Sequence, residues 1–181
     1  MGCAILVFAA AAAKAESAAL PLDRDIALPS TTAAREPTLN GTVIHDALVP
    51  FVIRQEDGSV ECRGNLQNRV VRSTATGHLD FYYRIRGTSG PGEIRAIDTS
   101  GFRGETLRIA YRTDGLGTES PTRAYRPAPG STVIAGGMHL ACGRHEESRF
   151  IVIRTEATEL ESGATTIHAS QTVTVVTVGP E

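Results

Sequence analysis

From Gly41 onward, apolar and polar residues alternate with a period of two, and turn residues cut the alternation into short runs. Period two places successive side chains on opposite faces of an extended strand, whereas a helix needs 3.6. Leu79, Phe81, Tyr83 and Ile85 alternate with Asp80, Tyr82, Arg84 and Arg86, as a half-buried strand requires. Leu107, Ile109 and Tyr111 alternate with Arg108, Ala110 and Arg112 in the same way. Residues 150–153 are apolar on both faces, the pattern of a central strand covered on each side. The tail from Ile167 to Val178 is rich in Val and Thr, whose branched Cβ suits a pleated surface. Residues 42–53, 59–73, 93–98 and 131–140 supply the remaining candidates.

The punctuation agrees with strands. Asp57-Gly58, Thr76-Gly77, Gly90-Pro91-Gly92, Asp114-Gly115, Pro129-Gly130 and Ser162-Gly163 each stand between two runs. Tight hairpins need positive φ at their central residues, which Asp-Gly supplies. The spacing predicts an all-β domain of about eight strands over residues 41–181, an antiparallel two-sheet β-sandwich or jelly roll.

Ahead of this body, residues 4–13 (AILVFAAAAA) form an apolar run too short to span a bilayer, which takes about 20 residues. Ala13-Lys14-Ala15 follows with the small-x-small pattern of signal cleavage. Residues 1–15 are therefore read as a signal peptide, cut after Ala15 or at Ala19, and no later stretch could cross a membrane. Residues 16–40, with Pro21, Pro29, Pro37 and no sustained period, are expected to be a flexible linker.

Export bears on the cysteines. Cys62 and Cys142 remain after the leader, and in an oxidising compartment they most simply form one disulfide. Two free thiols are a second reading. A third is a metal: His139, Cys142 and His145 stand at H-x-x-C-x-x-H, Cys62 could be a fourth ligand, and such N/S sets suit zinc. His45, His78 and His168 lie in or beside strands and are read as ordinary core or surface residues.

The formal charge of −2 gives no reason to expect nucleic acid. Its distribution is uneven: residues 63–126 hold eleven Arg against six acids, and both flanks are acidic. Either the flanks pair with the middle as neighbouring strands, or the middle offers a basic face to an acidic ligand. No nucleophile elbow, phosphate loop or His-Glu-x-x-His stands in the sequence. Carboxylate pairs such as Asp98 with Asp114 or Glu119 would suit hydrolysis, and residues 114–119 could offer oxygens to calcium, but a tight turn explains that loop. No cofactor is expected. Tyr82 and Tyr125 are the tyrosines expected to face outward. Tyr82 shares a face with Asp80, Arg84 and Arg86, a set that could stack on and hydrogen-bond a ligand. The competing reading is a solvated face with cross-strand ion pairs.

The segments GNLQNRVVRSTATGHLDFYYRIR (64–86), LRIAYRTDGLG (107–117) with Gly101-Phe102 before it, and SRFIVIRTEAT (148–158) resemble, in this order, a β-rich domain of exported bacterial proteins that often precedes a PEP-CTERM sorting tail. The resemblance spans roughly residues 48–178. It implies an exported β-domain and brings no catalytic residues to carry over. The chain ends at Val178-Gly-Pro-Glu181 without such a tail, so free secretion is expected over surface anchoring. The expected function is a non-catalytic exported domain, structural or mediating cell-surface or matrix contacts, with an extracellular glycan or protein as partner. Its alternatives are a carbohydrate-binding module using exposed Tyr and Arg on a sheet face, and a hydrolase with unrecognised carboxylates.

Overall fold

A computed structural model describes residues 16–103, 106–128 and 132–181. The proposed leader and the Pro129-Gly130 turn lie outside the described residues. Among the described residues the strands are β1 (Ala18–Ala19), β2 (Ile26–Ala27), β3 (Ser30–Thr31), β4 (Gly41–Arg54), β5 (Val60–Ser73), β6 (Leu79–Ser89), β7 (Glu93–Ser100), β8 (Arg108–Arg112), β9 (Arg123–Tyr125), β10 (Thr132–Ala141), β11 (Ile151–Arg154), β12 (Leu160–His168) and β13 (Thr172–Pro180). They form a β-sandwich. The larger sheet runs β1-β8-β11-β6-β5-β4, and the smaller runs β13-β12-β7-β10-β9-β2. Pairing is antiparallel except for β3, which lies parallel to β8.

The core lies between the sheets. Leu79, Phe81, Tyr83 and Ile85 of β6 enter it, as their alternation predicts, together with Ile97, Ile109, Ile151, Ile153 and Ile167. Phe81 meets Phe102 edge to face with ring centroids 5.5 Å apart. Every predicted run has a counterpart among the strands, but the tail was read too simply. Residues 167–178 are the end of β12, a turn at 169–171 and most of β13. That turn carries neither Gly nor Pro, so nothing local marks it. Conversely, Ser162-Gly163 lies inside β12. A Cβ at Gly163 would stand 3.3 Å from the Gly179 N and the Ser100 O, so this glycine permits close backbone approach and is not a turn residue.

The larger correction concerns residues 16–40. They are not loose: their three short strands pair with β8 and β9, and together with β9 and the division of the tail into β12 and β13 they account for the strands beyond the expected eight. Leu20 and Leu28 enter the core, and Leu39 covers the outer face of the larger sheet beside Val71, Tyr82, Ala110 and Val152. Prolines remove the periodicity that would have revealed these strands, because each pairs over only two residues.

Cys62 and Cys142 are joined as a disulfide across 80 residues, with Cα atoms 5.9 Å apart. Cys62 lies in β5 of the larger sheet and Cys142 directly follows β10 of the smaller, so the bond ties the two layers together. The acidic flanks do pair with the basic middle: Asp46 of β4 meets Arg69 of β5 at 2.7 Å, and Glu147 pairs with Arg84. Among the described residues, no helix is long and apolar enough to cross a membrane.

Candidate functional site

The sandwich has two outer faces. The predicted binding set lies on that of the larger sheet, but it is sealed. Asp80, Tyr82 and Arg84 are 1%, 4% and 3% exposed, and Arg86 is half-buried. The expected outward platform is therefore a second, covered layer. Two remote segments cover it. From one side, Glu36 pairs with Arg154, whose Nε lies 3.3 Å from the Asp80 Oδ1. Ser17 closes the same cluster by donating its hydroxyl to Glu36 at 2.7 Å and its amide at 3.0 Å. From the other side, Glu147 pairs with Arg84, whose Nε also donates to the Ser148 carbonyl at 3.1 Å. The Ser148 hydroxyl accepts the Ile85 amide at 2.9 Å.

Burial sets the protonation of this layer. It pushes the Asp80 carboxyl up to about 6, against the pull of Arg154 and with help from the Glu36 charge. It also pushes the Tyr82 phenol up to about 12. Burial raises Glu36 too, yet Ser17 and Arg154 outweigh it and hold that carboxyl below its ordinary value.

A groove of about 300 Å³ remains beside Tyr82. Tyr82 and Phe150 meet edge to face there, with Arg112 over the Tyr82 ring at 5.9 Å and Arg69 over the Phe150 ring at 5.2 Å. Both guanidinium groups are committed, however. Arg69 donates twice to Asp46, and Arg112 donates twice to Asp114 and once to the Tyr82 hydroxyl. Such bidentate pairs leave little charge for a ligand.

The other readings fare as follows. The joined sulfurs are not thiolates, so Cys62 and Cys142 are not metal ligands. His139 turns to Glu93, with Nδ1 3.0 Å from Oε1, and the His145 Nδ1 lies 2.9 Å from the Thr88 carbonyl. No group of His, Cys, Asp and Glu suited to a metal is found among the described residues. Asp98 lies on the smaller sheet, 2.9 Å from the His168 Nε2, whereas Asp114 follows β8 of the larger sheet and is held by Arg112 and the Ala33 amide. Asp98 and Asp114 are thus not brought together, and the Asp114 carboxylate of the 114–119 loop is already engaged.

The outer face of the smaller sheet is open. It carries a trough of about 510 Å³, within the roughly 300–1,000 Å³ common for ligand sites. β9 builds its wall: Arg123 and Tyr125, two residues apart in a strand, project to the same side. Across β10 they face Gly136 and Ile134, and Gly136 in turn faces Ala96 of β7. Two very small residues therefore form the floor beside an arginine. The register of β10 against β7 breaks beyond Gly136, where Gly137 takes φ +73° and a Cβ would stand 2.2 Å from the Thr122 hydroxyl. This bulge displaces Met138 and His139 and opens the trough.

The polar groups are unevenly satisfied. At one end the lining residues Arg95 and His139 both turn to Glu93, which stands outside the trough, at 3.5 Å and 3.0 Å. At the other, the Tyr125 hydroxyl donates to Asp23 at 3.2 Å, which fixes the ring beside Asp25. Arg123 between them has no ion pair among the described residues, although it lines the trough.

Of this site the sequence marks Tyr125 as outward-facing and singles out His139 for metal instead. Arg123, Arg95, Asp25 and Gly136 were missed. Adjacent glycines at 136–137, inside a run otherwise apolar, are the one local signal of a bulge.

Comparison with protein-family models, curated proteins and solved structures finds no match.

Proposed function

We propose that the protein is a non-catalytic exported domain that makes contacts at the cell surface or in its surrounding matrix, through the trough on the smaller sheet. The observation that carries this reading is the contrast between the two outer faces. On one, the polar side chains are buried in ion pairs, and the other keeps a concave trough with a fixed tyrosine and an arginine that has no ion pair among the described residues. A disulfide joining the layers suits an oxidising compartment, which supports export. Asp98 and Asp114, considered together for hydrolysis, belong to different sheets and have other partners, which favours binding over turnover.

Gly136→Leu tests the reading. A Cβ there would lie 3.7 Å from the Arg123 Nε and 3.8 Å from the Ala96 Cβ, which is ordinary contact. The variant is expected to fold with stability changed by less than about 1 kcal/mol, while its side chain fills the trough. Co-sedimentation with insoluble surface and matrix material from the cells that make the protein should retain the wild type and lose the variant. Equal retention of both, or none of the wild type, would refute the proposal.

A further inference from the structure

The geometry points to a carboxylate-bearing saccharide, a sugar acid within an oligosaccharide, as the ligand of the trough; this rests on the contact function proposed above. The trough is not simply basic. Arg123 and Arg95 line it together with the Asp25 carboxylate on the Tyr125 side, and Arg95 is already turned to Glu93 at 3.5 Å, which leaves Arg123 as the cation facing a ligand. A ligand carrying only negative charge would meet the Asp25 carboxylate. A neutral sugar would leave Arg123 without a counter-charge. A sugar acid satisfies both demands, because its carboxylate accepts from Arg123 while its hydroxyls donate to Asp25.

The remaining features fit the same chemistry. The half-buried Tyr125 ring is held in place by its hydroxyl bond to Asp23, so little freedom is lost when a sugar ring packs on it. Gly136 and Ala96 leave the floor flat enough for a ring to approach the backbone.

Titration calorimetry with short oligogalacturonates, their carboxyl-reduced neutral counterparts and poly-glutamate decides the matter. The protein should bind the oligogalacturonate about tenfold or more tightly than the reduced form, the value of a charge-assisted hydrogen bond. Arg123→Gln should erase that preference while leaving the weak neutral binding, and Arg123→Lys should restore part of it. Equal affinity for acidic and reduced sugars, or poly-glutamate binding as tight as the uronate, would overturn the assignment. So would no sugar binding at all by a protein still retained on matrix material, a result that leaves the contact function standing. Loss of that retention as well would remove both.

Discussion

Replacing Arg154 with Met is expected to destabilise the protein by about 3–5 kcal/mol at neutral pH, because breaking a buried ion cluster leaves its counter-charges uncompensated. Among the described residues Arg154 is the one cation that pairs with both the Glu36 and the Asp80 carboxylate, and their side chains are 8% and 2% exposed. Met keeps the volume but leaves two buried acids facing each other. The effect carries a pH signature. In the wild type Asp80 has its carboxyl raised from 3.8 to about 6, so the stability it contributes is present below pH 3.8 and lost as pH rises through 6. Glu36 is lowered, so its contribution is present above its ordinary value and lost on acidification. Without Arg154 both carboxyls move upward and can take protons in the folded state. The stability gap between wild type and variant should therefore be widest above pH 7 and narrow steadily toward pH 4. Urea unfolding at several pH values measures it. A gap that stays constant with pH would mean that Arg154 acts through packing alone.

Breaking the Cys62–Cys142 bond is expected to have a comparable effect. Closing a loop of 80 residues removes denatured-state entropy worth about 4 kcal/mol in the chain-entropy account. The paired substitution Cys62→Ala with Cys142→Ala, or reduction under mild denaturant, should lower the melting temperature by roughly 8–16 °C for a domain of this size. Both sulfurs are buried in the core, so the double variant also leaves a small void. An unchanged melting temperature would contradict the role given to this bond in tying the layers together.

Much of this architecture was legible because period two is local. Phe81 and Tyr83 point inward in β6 on the strength of their immediate neighbours alone. The disulfide is legible as the simplest pairing of Cys62 and Cys142, the two cysteines beyond the expected leader. What covers a strand's other face is not local. Asp80 and Arg84 read as solvent-facing, yet their covers, Glu36 and Glu147, stand 44 residues before and 63 residues after them in the chain (80 − 36 and 147 − 84). The same limit explains residues 16–40, whose two-residue strands exist only because β8 and β9 offer free edges. At the trough, Tyr125 was legible as an outward residue, but its partnership with Arg123, Gly136 and Ala96 depends on the order β7-β10-β9. Strand order is set by the packing of the whole sheet, and no single run encodes it.

The claim that the protein works through the outer face of its smaller sheet is tested most directly by mapping amide chemical shifts. A soluble fraction of matrix polysaccharide from the producing cells would be titrated into isotope-labelled protein. The account predicts shifts concentrated at Arg95, Ala96, Arg123, Tyr125 and Gly136, with the groove beside Tyr82 and Phe150 undisturbed. Shifts centred on that groove, or none anywhere, would contradict it.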